Sequence, residues 1–339
     1  MNKLIAGGLL AATSLSGGSA QAAELFATMG PILASAPDAA TLTAQCDRYM
    51  AEIERRQVEL ESERGAATMA RTLTRFDQLN ALLSAGYSDF GLYQEVMADQ
   101  ARRDAGANCQ VRLATLDSKI SLSRPLYDRL KAIPASGADA PTKLYLTRTL
   151  EEFERSGVAL DAGKRAQVQQ LNEELAKLGT QFDDNVANGR KVVRAQLDEL
   201  AGVPADFIAA HKPGPDGLIE ISTDTPDYTP VMNYAESDAL RRRLSEAYNQ
   251  RAYPQNDAVL RQIFTKRQQL ATLLGRPNYA SLVLENKMVD SPAKVQQLLD
   301  DMSAAARPAA DRDYAKMLRV LRELKPGAQQ VEFWQNGWL

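Results

Sequence analysis

Residues 168–182, VQQLNEELAKLGTQF, contain the strongest periodic pattern in the chain. The apolar residues in this stretch recur at alternating steps of three and four, namely Val168, Leu171, Leu175, Leu178 and Phe182. That spacing places all of them on one face of an α-helix, as in the seam between two packed antiparallel helices. The stretch therefore predicts a long helix whose apolar seam is buried in a core.

The composition extends this prediction to the whole chain. Ala, Leu, Gln, Glu and Arg dominate most segments and only 6% of the 339 residues are aromatic, which favours helices over sheets. A hydrophobic content of 45% is enough for one large domain or two ordinary ones. The net charge of −3, with both signs interspersed, provides no basic field for nucleic acid. We expect a mostly α protein without a nucleic acid partner.

The first part of the chain continues the helical pattern. Residues 39–85 have the periodicity of two helices, and the same pattern resumes over residues 92–132. Between them, GYSDFG at residues 86–91 is predicted to be a connector. IPASGADAP at residues 133–141 is predicted to be a loop because Pro, Gly and Ser cluster there.

The helical pattern is interrupted over residues 202–232. Here the turn-rich segments GVP, KPGPDG and DTPDYTP separate short runs in which apolar and polar residues alternate. Residues 218–221 and 228–232 are the two runs, and they predict a small β-hairpin or an isolated two-stranded insert.

Local signals mark three later helices. Ser237 is a suitable N-cap for the first, and the second begins near Asn256. Gly275 followed by Pro277 should end the second helix, since glycine favours the C′ position and proline cannot continue a helix. Ser291, followed directly by a proline, should begin the third.

The N-terminus, MNKLIAGGLLAATSLSGGSAQAAEL, has the layout of a secretory signal. Lys3 precedes an apolar run over residues 4–15, and the small-residue pattern AQA predicts cleavage between Ala22 and Ala23. The alternative, an uncleaved anchor, is disfavoured because the run is shorter than the ~20 residues that span a bilayer. We expect a periplasmic or secreted protein with no membrane association after cleavage.

Two cysteines, Cys46 and Cys109, lie in the first third of the chain. An oxidising compartment permits a disulfide between them. Two buried free thiols, acting as small apolar residues, are the alternative. Cys46 and Cys109 are therefore the disulfide candidates.

The chain contains one histidine, His211, in the segment AAHKPG. An H-E-x-x-H zinc site needs two imidazoles one turn apart, so this motif is absent from the 339 residues. His211 is predicted to be an exposed loop residue, since no metal-ligand cluster surrounds it in sequence. The run Arg241–Arg243 is predicted to be a solvated helix face with ion pairs.

Three partial motifs do not meet the requirements of their chemistry. Ser291–Lys294 fits S-x-x-K, but its companion elements are missing, so Ser291 is better explained as an N-cap. Gly157–Lys164 imitates a phosphate loop with glycines spaced one residue too far apart. Asp183–Asn185 lacks the glycine and the glutamate of a calcium loop.

Three longer stretches resemble one known family when they are taken together. They are RSGVALDAGKRAQVQQLNEELAKLGTQFDDNV (residues 155–186), PDYTPVMNYAESDALRRRLSEAYNQRA (226–252) and LRQIFTKRQQLATLLGRPNYASLVLENKMVDSPAKVQQLL (260–299). In order and spacing they resemble the N-terminal, non-catalytic half of the thimet oligopeptidase, oligopeptidase A and peptidyl-dipeptidase family of zinc metallopeptidases. The resemblance covers roughly residues 70–339.

The resemblance implies a fold and an organisation. The family is mostly helical and two-lobed, and residues 141–339 resemble one wall of its channel. Residues 1–22 are then the signal peptide and residues 23–140 an N-terminal helical region. The family's H-E-x-x-H motif lies in its later half and has no counterpart here, so no catalytic or metal-binding residue is assigned.

Two functions follow from the resemblance. In the first, the chain is the N-terminal portion of an exported zinc oligopeptidase of short peptides, incomplete and inactive alone, whose partner is the missing C-terminal lobe. Zinc is then a cofactor of the complete enzyme and is not expected to bind this chain. In the second, the chain is a stand-alone helical module that binds peptides or a protein without cutting them.

Overall fold

The computed structural model describes residues 37–339, and helices dominate that part of the chain, as predicted. Its α-helices are, in order, α1 Ala39–Ser62, α2 Thr74–Val96, α3 Gln100–Ser121, α4 Arg124–Lys131, α5 Ala140–Ser156, α6 Ala162–Asn188, α7 Ala205–Ala210, α8 Thr225–Tyr234, α9 Asp238–Asn249, α10 Gln255–Leu273, α11 Tyr279–Leu284 and α12 Pro292–Leu324. Shorter helical turns are a π turn at Met69–Leu73 and 3₁₀ turns at Leu197–Leu200 and Phe333–Gln335. None of the helices within residues 37–339 has the length and apolar character needed to cross a bilayer. The predicted signal peptide, with Lys3, Ala22 and Ala23, lies outside the described residues.

The described residues divide into two compact units. The first comprises the chain up to Thr180 together with Ile263–Tyr279, and the second comprises Gln181–Gln262 together with Ala280–Leu339. The core of the first unit is formed by buried residues of α1 to α5, among them Leu42, Ile53, Leu60, Leu79, Phe90, Leu113, Leu116, Leu130 and Phe153. Burying each such side chain contributes about 1.5–3 kcal/mol, so this cluster is a main source of the unit's stability.

Polar caps fix where the helices of the first unit begin. The side chains of Asp38, Asp99, Ser123 and Asp139 each accept a hydrogen bond from the backbone N–H three residues later. Each cap satisfies an N–H that has no partner inside its helix, a contribution of about 1 kcal/mol. The starts of α1, α3, α4 and α5 are therefore encoded locally.

The connector predicted at residues 86–91 is wrong, because α2 runs through it without a break. Gly86 lies where α2 approaches α3 so closely that an added Cβ atom would be 3.1 Å from Leu113 Cδ1. Phe90 is fully buried in the same contact region. Tertiary packing therefore outweighs the low helix propensity of glycine here.

A disulfide bond joins Cys46 of α1 to Cys109 of α3. Both cysteines are buried in the core of the first unit, and 63 positions of sequence separate them. The bond closes a long loop that contains the whole of α2.

The predicted two-stranded element exists, but only one of its strands was located correctly. β2, Ile219–Ser222, pairs antiparallel with β1, Val192–Ala195, in a register that places Val192 opposite Ser222. The second predicted strand, residues 228–232, is wrong because it lies within α8. Pro226 occupies the first turn of that helix, where its fixed φ is already helical.

The core of the second unit surrounds this ribbon. Its buried residues come from β1, β2, α8 and α9 and include Ala195, Leu200, Ile219, Ile221, Val231, Leu240 and Leu244. The predicted start of α9 is confirmed, since the Ser237 hydroxyl accepts the N–H of Leu240 at 3.2 Å.

Two further helix boundaries agree with the sequence signals. α10 ends before Gly275, whose φ of +78° is a left-handed conformation that glycine adopts without strain. α12 begins directly after Ser291, whose hydroxyl accepts the N–H of Lys294 at 3.4 Å. This N-cap role agrees with the interpretation preferred for Ser291.

The long helix predicted around residues 168–182 is confirmed as α6. The prediction that its apolar seam is completely buried is wrong. Val168 is buried, but the other four seam residues are only partly buried, namely Leu171, Leu175, Leu178 and Phe182. The periodicity therefore determined the helix but not how deeply each seam residue is covered.

Candidate functional site

An open groove in the first unit is the best candidate for ligand contact. It lies between α6 and α10 and has a volume of about 550 Å³. Its lining is rich in amide side chains and includes Gln167, Gln170, Leu171, Glu174, Lys266 and Gln269. Sites for small ligands have volumes of about 300–1,000 Å³, and the volume of the groove falls within that range.

The charged residues of the groove are paired with each other. Lys266 Nζ of α10 lies 2.6 Å from Glu174 Oε2 of α6. The Lys266 ammonium and the Gln170 amide hold the pKa of Glu174 below its usual range. Glu174 is therefore ionised at neutral pH, and the groove presents an ion pair beside uncharged amides.

Each amide side chain has both hydrogen-bond donors and an acceptor, so the groove can bind a polar ligand that offers both. Gln167 and Gln170 lie three residues apart on α6, so both face the same side of that helix. The sequence did not mark these glutamines as part of a site. The only available signal was the repetition of glutamines, which is equally typical of a solvated helix.

His211 is not the exposed loop residue that was predicted. It directly follows α7, and its ring stacks on Phe207 with 4.0 Å between the ring centroids. Nδ1 lies 2.8 Å from the carbonyl oxygen of Phe207, and Nε2 lies 3.1 Å from Asp227 Oδ1. Both ring nitrogens therefore have protein partners, which the local sequence could not show because Asp227 is 16 residues away.

Asp227 connects His211 to the ribbon. Its Oδ2 accepts the hydroxyl of Ser222 at 2.5 Å and the Ser222 N–H at 3.0 Å. Burial alone would raise the pKa of Asp227, but the hydrogen bonds from Ser222 and His211 hold it below its ordinary value. Because the Ser222 hydroxyl donates to the carboxylate and not to the imidazole, this cluster is not arranged as an activated nucleophile.

The described residues do not fit a zinc ion. Within residues 37–339, no group of three or more His, Cys, Asp or Glu side chains could hold a metal. His211 already has two partners, and Cys46 and Cys109 are bonded to each other.

The solvated arginine face predicted at residues 241–243 is wrong for Arg241, which is fully buried. Its guanidinium pairs with Asp238 Oδ1 at 3.0 Å, donates to the carbonyl of Ala235 and lies over the ring of Trp338. Arg242 and Arg243 are exposed and pair with glutamates, as predicted. Burial lowers the pKa of Arg241 and Asp238 opposes that effect, yet an arginine stays protonated at any physiological pH.

Asp238 is the centre of a polar cluster that secures residues 325–338. Lys325 Nζ lies 2.8 Å from Asp238 Oδ2, and Gln335 Nε2 donates to Asp238 Oδ1 at 2.7 Å. Burial would raise the pKa of Asp238, whereas Lys325 and Gln335 lower it below its usual range. The cluster fixes this segment against α9 and has no group arranged for proton transfer.

The remaining partial motifs have structural roles. Gly157, in the imitation of a phosphate loop, ends α5 with a φ of +100°. Asn185, in the imitation of a calcium loop, lies inside α6 and donates to Asn256 Oδ1 at 2.8 Å. Neither site forms a ligand cradle.

Comparison with known proteins relates this chain to peptidases. Residues 231–337 match the family model for peptidase family M3. Oligopeptidase A of Salmonella typhimurium is 31% identical over 208 residues, which is 57% of this chain and 30% of that protein. Oligopeptidase A of Haemophilus influenzae is 27% identical over 281 residues, or 77% of this chain and 41% of that protein.

A eukaryotic relative shows the same partial coverage. Saccharolysin of Saccharomyces cerevisiae is 25% identical over 244 residues, covering 68% of this chain and 34% of that protein. The chain therefore spans between 30% and 41% of the length of these curated relatives.

Proposed function

We propose that this chain is a member of the thimet oligopeptidase and oligopeptidase A family and is the N-terminal portion of a zinc-dependent oligopeptidase that hydrolyses short peptides. The observation that carries the proposal is the match of residues 231–337 to peptidase family M3, with relatives that are oligopeptidases.

The groove between α6 and α10 supports a role in holding peptides. The first and third stretches of the resemblance, residues 155–186 and 260–299, include most of α6 and α10 respectively. The amides of Gln167, Gln170 and Gln269 could pair with the backbone of a peptide laid along these helices.

Catalysis is proposed to need the missing C-terminal lobe. Hydrolysis of a peptide by a zinc enzyme requires a metal that activates water and polarises the carbonyl. With one histidine in 339 residues, the H-E-x-x-H ligands must come from elsewhere. The chain by itself is therefore proposed to be inactive and to bind no stoichiometric zinc.

Export to the periplasm or the medium is part of the proposal. Lys3, the apolar run over residues 4–15 and the AQA pattern support a cleaved signal peptide. The disulfide between Cys46 and Cys109 supports it independently, since such bonds persist in oxidising compartments.

The second candidate function, a stand-alone binding module, is favoured by a specific observation. The two units have their own buried clusters, and the Asp238 cluster secures residues 325–338 against α9. A peptide would then bind in the groove without being cut.

One experiment separates the two functions. The purified chain is assayed for bound zinc and for cleavage of quenched peptides with and without a chelator, alone and fused to the downstream half of a relative that carries H-E-x-x-H. The downstream half alone is the control. We expect activity only in the fusion. Turnover by the chain alone would disprove the first function, and a fusion no more active than its control would favour the binding module.

Peptide binding is measured separately by fluorescence anisotropy with a labelled peptide of five to eight residues. Gln170→Glu places a second carboxylate beside Glu174 and should weaken binding. Gln297→Glu, on the exposed surface of α12, makes the same chemical change outside the groove and should not. Equal binding by both variants would exclude the groove as the peptide site.

A further inference from the structure

Both ring nitrogens of His211, the one histidine of the chain, face hydrogen-bond acceptors. Nδ1 lies 2.8 Å from the carbonyl oxygen of Phe207, and Nε2 lies 3.1 Å from Asp227 Oδ1. A carbonyl oxygen and a carboxylate oxygen can only accept hydrogen bonds, so each contact requires a proton on the ring nitrogen. A neutral imidazole has one N–H group and satisfies one of these contacts, whereas the imidazolium satisfies both.

The hydrogen bonds of Asp227 show on which partner the proton lies. Asp227 Oδ2 accepts the Ser222 hydroxyl at 2.5 Å and the Ser222 N–H at 3.0 Å. Burial would raise the pKa of Asp227, but the bonds from Ser222 and His211 hold it below its ordinary value. Asp227 is therefore an ionised carboxylate, and a proton between it and the ring belongs to the imidazole.

Asp227 is the charged group that contacts the ring directly. In α7, the loop after it, β2 and the residue before α8, the other charged side chains are all exposed, namely Asp206, Lys212, Asp216, Glu220 and Asp224. The last three are paired with arginines. Tyr228, the next residue of α8, stacks on Tyr248. The electrostatic environment of His211 is therefore dominated by one carboxylate.

The contact between His211 and Asp227 fastens a helix that needs tertiary support. α7 has six residues, a length at which an isolated helix is unstable in water. Phe207 and Ile208 pack against the core of the second unit. His211 follows the last residue of α7 and joins it to α8 across the intervening loop and β2. Loss of this contact should therefore loosen the end of α7.

We propose that His211 is doubly protonated in the folded protein and, with Asp227, forms a pH-dependent clamp that fastens the end of α7 to α8. The proposal goes beyond the peptidase function and does not depend on it. Removing one ring proton leaves a bare nitrogen facing either the Phe207 carbonyl or the Asp227 carboxylate, so the clamp loosens as the pH rises. A histidine in an unfolded chain loses its proton near pH 6.5. The stabilising contribution is therefore complete below about pH 6.5 and is lost at higher pH, as the folded protein releases the proton.

NMR of the ¹⁵N-labelled chain, purified without a histidine tag, tests the protonation state directly. His211 is the only source of imidazole signals, so no assignment is needed. The two nitrogens of an imidazolium have similar chemical shifts, whereas those of a neutral ring are widely separated. At pH 7.5, about one unit above the ordinary value for histidine, we expect a mainly doubly protonated ring in the folded chain and a mainly neutral one in concentrated urea. A neutral ring in the folded chain at this pH would overturn the proposal.

Two matched variants test the role of Asp227. Asp227→Asn keeps the shape of the side chain and removes its charge, so the pH at which His211 is half protonated should fall by at least one unit. Asp224→Asn makes the same change three residues earlier, in an exposed carboxylate that contacts Ser222 Oγ at 3.3 Å and not the ring. It should leave the titration of His211 unchanged. Equal titrations in the wild type and both variants would contradict the proposal. Circular dichroism checks that each variant is folded, and the wild-type spectrum decides the protonation state without them.

Amide hydrogen exchange tests whether the clamp loosens. Protection factors, which are corrected for the intrinsic effect of pH on exchange, should fall at least tenfold for residues 205–211 between pH 6 and pH 8.5. The amide of Leu244, in the core of the second unit, is the internal control and should change less. His211→Gln cannot change its charge and should remove the pH dependence at residues 205–211. Protection that stays constant across this range in the wild type would show that no pH-dependent clamp exists.

Discussion

The guanidinium of Arg241 lies over the indole ring of Trp338, 4.2 Å from its centroid. This contact joins α9 to the segment that follows α12, and it lies beside the pair between Arg241 and Asp238. A buried arginine is retained only where its charge is compensated, and here a carboxylate, a carbonyl and an aromatic face supply the compensation. We therefore predict that Arg241 contributes strongly to the stability of the second unit.

Arg241→Ala should lower the free energy of unfolding by about 3–5 kcal/mol, because it removes one partner of a buried ion pair. Arg242→Ala is the matched control. Arg242 is the next residue along α9 and forms an exposed pair with Glu246, so its loss should change stability by less than about 1 kcal/mol. Urea unfolding of both variants measures the difference. Equal effects would mean that the burial of Arg241 is energetically unimportant.

Asp117 of α3 should make the stability of the first unit depend on pH. Burial, reinforced by Glu152, raises the pKa of Asp117 to about 6, although a hydrogen bond from Tyr87 opposes the shift. The folded state thus holds a proton that the unfolded state releases near pH 4. The stabilising contribution is complete below pH 4 and is lost as the pH rises through 6, a difference of roughly 3 kcal/mol.

Asp117→Asn should remove this pH dependence and increase stability at pH 7. The measurement is a series of urea unfolding curves between pH 4 and pH 7.5. Asp104→Asn, on the exposed side of the same helix, is the control and should keep the wild-type slope. If the free energy of unfolding of Asp117→Asn depends on pH as steeply as that of the wild type, the pKa of Asp117 is not raised in the folded state.

The bond between Cys46 and Cys109 should be present in the exported protein. Alkylation without reductant is expected to label neither thiol, since both sulfur atoms are engaged. Replacing both cysteines by alanine should cost about 4 kcal/mol in the chain-entropy model for a loop of this length. Labelling of both cysteines in oxidised native protein would show that they are free thiols.

Two glycines should respond in opposite ways to the same substitution. Gly157 has a φ of +100°, and an added Cβ would lie 2.7 Å from Leu274 Cδ2, so Gly157→Ala should be destabilising by more than about 1–2 kcal/mol. Gly179 lies within α6 with no atom within 4 Å of the added Cβ, so Gly179→Ala should stabilise by about 0.5–1 kcal/mol. Thermal or urea unfolding gives both values, and two changes of the same sign would contradict this assignment.

Processing of the N-terminus should occur between Ala22 and Ala23. Removal of 22 of the 339 residues leaves a mature chain of 317 residues, which intact mass spectrometry of the periplasmic or secreted fraction can identify. Ala20→Leu should block cleavage because the processing site needs small residues. Finding Met1 on the exported protein would refute the predicted signal.

The candidate groove was not predictable from the sequence, although both of its helices were. α6 and α10 were identified by periodicity and by the stop signal at Gly275, which act over one or two turns. The pairing of Glu174 with Lys266 brings together residues that are distant in the chain. In the sequence alone, the glutamines of each helix are indistinguishable from those of a solvent-exposed face. Only the packing of α6 beside α10 places them in a groove.

The sequence by itself determined the features whose causes are local. Ser237 and Ser291 begin helices because a hydroxyl three residues before an N–H can accept it, whatever the rest of the chain does. The mostly α fold follows from the same short-range preferences. The order and spacing of the three family stretches also needed only the sequence.

Only the tertiary structure decided the features that depend on distant neighbours. α2 continues through Gly86 because this residue packs closely against Leu113 of α3, and Arg241 is buried because Trp338 and Gln335 pack over its helix. β2 pairs with Val192–Ala195 and not with the nearer predicted run, since the latter is held in α8. In each case the free energy of a long-range contact exceeded the local conformational preference of the residues. The sequence pattern does not show which distant residues will be in contact.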